Sequence, residues 1–148
     1  MNTRANPAGR CRLRTLAVLL AAAWSLGLGD GNDSAGKSIP IPSQNFTVTV
    51  TDSQGRALQA ERFTWEGKVY FSARLGQATV SLPFAKVSKL TLHPESKAPT
   101  PEEIMATVEL RSGKTTDVAL DRTSKCYGDT EFGPYEIFVK DVREIVFR

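Results

Sequence analysis

Cys126 and His93 are the residues of this chain whose side chains could support nucleophilic catalysis. An imidazole activates a thiol only when the two groups are adjacent in space and a third group orients the base. His93 is the chain's only histidine, and it precedes Pro94 at the end of a predicted strand. Lys125, beside Cys126, would favour a thiolate, but free cysteines are among the residue types most often buried. We expect Cys126 to be a buried core residue and the chain not to be an enzyme.

Carboxylates near the C-terminus offer a second kind of chemistry, either as a hydrolytic pair or as Ca²⁺ ligands. Their spacing follows predicted turns and outward strand positions, and the sequence contains no Asp-x-Asp-x-Asp-Gly loop. One histidine and two cysteines are too few for a zinc site. The sequence therefore predicts no metal and no cofactor. The carboxylates in question are Asp129, Glu131, Glu136 and Asp141.

Residues 1–29 have the layout of a secretory signal peptide. Four arginines precede an apolar run from Thr15 to about Leu28, and no acidic residue occurs before Asp30. The run is some 14 residues long, whereas a transmembrane helix needs ~20. Cleavage before Asp30 would follow small residues, as signal peptidases require. We expect a periplasmic or secreted protein that meets the membrane only through this segment, if the segment stays uncleaved.

The charge of the chain argues against a nucleic-acid partner. Its formal charge of +3 includes four arginines that precede Asp30, and none of its 16 acidic residues lies there. The remaining chain has 15 basic residues against 16 acidic ones, and no basic stripe runs through it. Binding to a phosphate backbone requires a concentration of positive charge. Nucleic acid is therefore not an expected partner.

From Phe46 onward the sequence reads as strands. Apolar and polar residues alternate with period two, and turn residues interrupt them at short intervals. Nowhere do apolar residues recur with a helical period for more than one turn. Residues 30–45 mix Gly, Ser, Asn and Pro, which is typical of a flexible leader. The sequence predicts an all-β protein behind this leader.

The strand-forming part of the chain repeats itself. A shift of 57 residues aligns Lys68–Tyr70 with Lys125–Tyr127 and places Gly76 on Gly133. The same alignment places Cys126 on Val69, which also predicts an apolar environment for the thiol. Val87, Leu90 and Leu92 correspond, after a gap, to Val142, Ile145 and Phe147.

This repeat predicts two related halves of four to five short antiparallel strands each. The first half is residues 46–93 and the second is residues 104–148, with a proline-rich linker at 94–103. One half of this size buries too little surface to fold dependably alone. We therefore expect the halves to share a core, as a β-sandwich, a single barrel or paired small barrels.

The closing stretch from Phe132 to Phe147 has the pattern Gly-x-Tyr-x-Ile-x-Val-x-Asp-Val-x-x-Ile-x-Phe. It resembles the closing strands of small SH3-like or Sm-like β-modules in uncharacterised exported bacterial proteins. The resemblance covers about 16 residues and rests mostly on alternation. It implies a small β-module and carries no catalytic residue.

Aromatic residues are the candidates for partner contact. Tyr70 of the first half aligns with Tyr127 of the second half, so we expect both side chains in the core. Trp65 and Phe138 have no aromatic counterpart in the other half and are the better contact residues. An exposed apolar ring of this kind suits a protein or sugar partner.

Asp141 and Glu144 complete the candidate contact set, because the two halves also differ there. The sequence favours an exported, non-catalytic β-domain that binds a protein or cell-envelope component. Strand edges are further candidate contacts. A carbohydrate-binding module is the alternative and would show a row of exposed aromatic rings along one sheet. A hydrolase with an unrecognised site is the third possibility.

Overall fold

A computed structural model describes residues 40–148, and every strand within them is antiparallel to its neighbours. The all-β prediction is confirmed. The predicted signal peptide and most of the predicted leader lie outside the described residues. None of the described residues forms a helix long and apolar enough to cross a membrane.

Ten strands and two 3-10 turns make up the described part of the chain. The turns occupy equivalent places, each joining a hairpin to the following strand. Glycines with positive φ, Gly55 and Gly113, close the β1–β2 and β6–β7 hairpins. The strands are β1 Val48–Asp52, β2 Ala57–Trp65, β3 Tyr70–Leu75, β4 Ala78–Pro83, β5 Val87–His93, β6 Glu103–Leu110, β7 Thr115–Asp121, β8 Lys125–Thr130, β9 Gly133–Phe138 and β10 Val142–Phe147, and the 3-10 turns are Phe84–Lys86 and Val139–Asp141.

All ten strands join in one curled sheet in the order β4-β3-β7-β6-β5-β10-β1-β2-β8-β9. Five of the nine neighbour pairs in this order join one of β1–β5 to one of β6–β10. Strand β5, for example, lies between β6 and β10 and pairs with no strand of its own half. The described strands therefore do not divide into one sheet or barrel for each half.

The strand order has an exchange symmetry. When β1–β5 are exchanged for β6–β10, the order is unchanged but reads from the opposite end. The registers obey the same rule: Val50 pairs with Ile145 in β1–β10, and Val108 pairs with Leu90 in β5–β6. Both ladders even contain an irregularity at the corresponding place. Leu90 also pairs with Ile145 at the centre of the sheet, where the two halves meet.

The registers also correct the alignment made from sequence. Tyr70 pairs with Pro83 in the β3–β4 hairpin, and Lys125 pairs with Phe138 in the β8–β9 hairpin. Equivalent positions in these hairpins therefore differ by 55 residues, and the predicted shift of 57 is wrong there. A slip of two residues leaves every side chain on its own face of the sheet, because side chains alternate with period two. Hydrophobic alternation alone does not detect such a slip.

The inward face of the sheet forms one hydrophobic core, with an aromatic cluster centred on Phe84. The Phe84 ring lies 4.8 Å from the Phe71 ring and 5.0 Å from the Phe147 ring, measured between centroids. Phe46 and Phe63 complete the cluster, each with its centroid 5.5 Å from that of Phe84. Phe84 begins the first 3-10 turn and is fully buried. Its equivalent in the second turn, Val139, is also fully buried but is much smaller.

Candidate functional site

Trp65 lies in the core. Its side chain is only 2% exposed and meets the Phe71 ring edge-on, with centroids 5.0 Å apart. An irregularity in β2 between Glu61 and Thr64, with a positive φ at Arg62, precedes it. Because the ring is enclosed in this way, Trp65 is not available as a surface contact, contrary to the prediction.

Phe138 lies at the surface and is 37% exposed. It ends β9, the last strand in the sheet order, and pairs with Lys125 of β8. The Lys125 ammonium lies 4.8 Å from the centre of the Phe138 ring, and the Lys140 ammonium lies 5.7 Å from it. Ammonium groups at such distances are attracted to the face of an aromatic ring. We call Phe138, Lys125, Lys140 and Glu136 the Phe138 patch.

Local backbone contacts hold the Phe138 patch in place. The Val139 N–H donates to the Ser124 carbonyl at 2.9 Å, and the Lys140 N–H donates to the Arg122 carbonyl at 3.1 Å. These bonds tie the second 3-10 turn to the segment that leads into β8. Lys125 also donates to the Glu136 carboxylate at 2.9 Å, and this hydrogen bond raises the pKa of the lysine. The Lys125 ammonium group is therefore charged at neutral pH beside an apolar ring.

Asp141 and Glu144 lie in the segment that follows. Asp141 is exposed, and its backbone carbonyl accepts a hydrogen bond from the Ser53 N–H at 2.8 Å. Glu144 is half-buried in β10, where it pairs with Thr51 on one side and Thr91 on the other. Its backbone position is therefore in the middle of the sheet, whereas the Phe138 patch is at the end. The structure does not join Glu144 to that patch.

Tyr70 and Tyr127 are half-buried rather than part of the core. Each neighbours an inward-facing buried residue, Phe71 and Cys126 respectively, so each projects from the opposite face. The prediction placed them inside because the shift of 57 made them equivalent. The correct equivalent of Tyr70 is Lys125.

Cys126 is a fully buried free cysteine, as the sequence predicted. Burial raises the pKa of its thiol far above the ordinary value, so the thiolate does not form at neutral pH. Its equivalent in the first half is Phe71, not Val69. An un-ionised thiol without access to solvent is a poor nucleophile.

His93 takes part in a hydrogen-bonded chain that the sequence analysis missed. Its Nε2 lies 2.9 Å from the Thr107 hydroxyl, which donates to Asp117 at 2.7 Å. The threonine is between the two other groups, whereas a catalytic triad places the imidazole between nucleophile and acid. At the equivalent place in the other half, Arg148 donates to the Thr49 hydroxyl at 3.3 Å. A contact made in both halves is more consistent with sheet stabilisation than with catalysis.

An open cleft of about 450 Å³ lies between β2 and the β8–β9 hairpin, and its lining includes Glu61, Asp129 and Glu131. Arg62 forms an ion pair with Asp129, so part of this negative charge is compensated. Within residues 40–148, no group of three or more acidic, histidine or cysteine side chains is arranged to hold a metal ion. We therefore assign no ligand to this cleft.

A second exposed phenylalanine accompanies the Phe138 patch. Phe132 is 80% exposed in the turn immediately before β9. Exposed aromatic rings thus occur before and at the end of the same edge strand. Phe132 was not singled out from sequence, although a phenylalanine in a predicted turn is a usable signal.

A family model described as "uncharacterised protein" matches residues 42–148. The chain belongs to this family. No curated protein matches it. The family match covers all ten strands, including the Phe138 patch.

Proposed function

We propose that this chain is an exported, non-catalytic β-domain that binds a protein or cell-envelope component through the Phe138 patch. The observation that carries the proposal is the exposed Phe138 ring, with two ammonium groups close to it. Exposed aromatic residues are enriched where proteins bind one another. An apolar ring beside cationic groups suits a partner that presents an apolar group next to an anionic one.

Carbohydrate binding is the second candidate, since a sugar ring stacks on an exposed aromatic face. On the same face of β8 and β9, Tyr127 is half-buried and Phe138 is exposed. Charged residues occupy the positions paired with them, namely Glu136 and Lys125. Phe138 is the exposed ring among these charges, and Phe132 lies outside the strand in the turn before β9, so the two rings do not form a row along the sheet. This arrangement favours the protein or envelope partner. A hydrolase is the third candidate and has the least support, since Cys126 is buried.

Duplication and export are further parts of the proposal. The exchange symmetry of the strand order and of the ladder registers supports two duplicated halves, 46–93 and 104–148, joined by the linker at 94–103. The basic and then apolar character of residues 1–29 supports a signal peptide and a periplasmic or secreted location. The closing pattern of the chain supports kinship with small SH3-like or Sm-like modules.

One experiment tests export and binding together. The full chain, expressed with its own N-terminus, should be recovered from the periplasm or medium with Asp30 as its first residue. Immobilised on beads, it should retain a defined set of components from a cell-envelope extract. Phe138→Ala should lose these components, because the ring supplies the apolar contact.

The matched control is Leu75→Ala, which removes a side chain of similar exposure, 44%, at the opposite end of the sheet. It should retain the same components as the unmodified chain. Equal recovery by Phe138→Ala would exclude the Phe138 patch as the contact. An unprocessed chain that stays in the cytoplasm would exclude export.

A further inference from the structure

Strand β4 is the end of the sheet opposite to β9, and its outer edge has no neighbouring strand among the described residues. A two-residue turn joins it to β3, so Ala78 pairs with Leu75 and Val80 pairs with Ala73. In an antiparallel pair, every second residue directs its N–H and C=O away from the neighbouring strand. On β4 these residues are Thr79, Ser81 and Pro83, and the two with an N–H are Thr79 and Ser81. They are the positions at which a further strand would form hydrogen bonds.

Up to Pro83 at its end, this edge lacks the features that usually prevent pairing with another chain. Proteins protect edge strands with charged residues, prolines or bulges. Residues 78–82 contain no charge and no proline, and the β3–β4 register is regular throughout. The equivalent edge on β9 differs, because Pro134 stands at the position of Thr79 and Glu136 at that of Ser81. Only one of the two edges is therefore blocked at this position.

The inner side of the same edge is apolar. Val80 and Leu82 pack against the core but are only half-buried, since nothing in the described chain lies beyond them. Leu75, at the start of the hairpin turn, is 44% exposed. A strand added along β4 would cover this apolar margin and extend the core.

We infer that β4 pairs with β4 of a second copy of this chain, in an antiparallel arrangement with a two-fold axis at Val80. Thr79 would exchange hydrogen bonds with the partner's Ser81, and Ser81 with the partner's Thr79. Val80 would then face the partner's Val80, and Leu82 would face the partner's Ala78. Every opposing pair is uncharged, so the edge is complementary to itself. The resulting dimer continues the sheet across two chains.

The corresponding pairing of β9 with itself, centred on Tyr135, is less favourable. It requires a donor N–H at position 134, and Pro134 has none. This difference between equivalent edges points to β4 as the self-association surface and leaves the Phe138 patch on β9 accessible to another partner. The inference is independent of the proposed function and survives its failure.

The first test measures the mass of the full chain in solution across a dilution series, by sedimentation or light scattering. We expect a dimer at high concentration that dissociates on dilution, because a single strand pair buries less surface than a standard interface. A chain that remains monomeric over the whole series overturns the inference.

Variants at Thr79 test whether dimerisation depends on the outward N–H of β4. Thr79→Pro removes the outward N–H and copies the proline that the fold already holds at the equivalent position 134. It should raise the dissociation constant by on the order of tenfold or more, since symmetry removes the bond twice. Thr79→Val keeps the N–H and should dimerise like the unmodified chain. Equal dimerisation by Thr79→Pro places the interface elsewhere and overturns the inference.

A cysteine cross-link tests the register without relying on the proline variant. Directly opposed residues in an antiparallel pair have Cβ atoms about 4.5–5.5 Å apart, so a modest adjustment permits a disulfide. Val80→Cys should form a covalent dimer under mild oxidation, whereas Gln77→Cys, exposed in the turn beyond the pairing, should not. The native Cys126 is buried and should not interfere, and Cys11 is replaced by serine in both variants. Absence of the Val80→Cys cross-link, or equal cross-linking by Gln77→Cys, contradicts the register.

Discussion

The β3–β4 and β8–β9 hairpins have the same register and equivalent places at opposite ends of the sheet, yet they use aromatic residues differently. The first hairpin and its 3-10 turn bury Phe71 and Phe84. The second buries Cys126 and Val139 at those positions and exposes Phe138. The same hairpin backbone thus holds buried aromatic rings at one end of the sheet and an exposed aromatic ring at the other.

This difference indicates where core packing is concentrated. Aromatic side chains bury more surface than any others, so the first hairpin contributes more to the core. At the second hairpin, the Phe138 ring is 37% exposed and therefore contributes less to the core than Phe71 or Phe84. We attribute its exposure to partner binding, in line with the proposed function.

The largest expected effect comes from truncating the aromatic cluster. Phe84→Ala removes a fully buried ring that contacts Phe71 and Phe147, and it should lower the free energy of unfolding by about 3–5 kcal/mol. The equivalent change Val139→Ala removes only two methyl groups and should cost about 1.5–2 kcal/mol. Urea denaturation followed by tryptophan fluorescence measures both. Equal losses would show that the two ends contribute alike to the core.

A smaller effect should separate the two ends at alkaline pH. Burial raises the pKa of Cys126 far above its ordinary value of 9.0, and burial, with smaller contributions from Cys126 and Asp52, raises the pKa of Tyr135 to about 12. Their equivalents in the first hairpin, Phe71 and Val80, do not titrate. The unfolded chain loses these protons at lower pH than the folded chain. The contribution of the Cys126 thiol to the free energy of unfolding should therefore be fully present below pH 9.0, and it should decrease as the pH rises above 9.0.

The thiol alone should cost about 1.4 kcal/mol for each pH unit above its ordinary pKa. Urea titrations between neutral and alkaline pH measure this slope. Cys126→Ala lowers stability at every pH by creating a cavity, but it should remove most of the decline that begins near pH 9.0. An unchanged slope in this variant would contradict the assignment of the alkaline effect to Cys126.

The sequence was sufficient to predict the all-β class and the burial of Cys126, because alternation reports which face a residue occupies. It was not sufficient for the strand order, since pairs such as β2–β8 and β1–β10 join residues far apart in the chain. The alignment of the halves was wrong by two residues in β3–β4 for a related reason. A two-residue slip preserves the inward and outward faces.

The exposure of the candidate contact residues agrees with the prediction for Phe138 and disagrees for Trp65. Phe138 was identified because the other half has no aromatic residue to match it, and it is exposed. The same argument failed for Trp65, since the irregular β2 backbone around Arg62 is not visible in residue types. Lys140 was not identified, because its proximity to the Phe138 ring depends on the 3-10 turn after β9.

Residue-specific photo-cross-linking tests the central claim most directly. A photoreactive amino acid placed at Phe138, in the full chain within producing cells, should give a discrete adduct with a protein or envelope component. The same amino acid at Pro83, which is equivalent in the β3–β4 hairpin and also exposed, should give no adduct except with a second copy of this chain. Identical adducts from both positions, or none from Phe138, would contradict a binding role for the Phe138 patch.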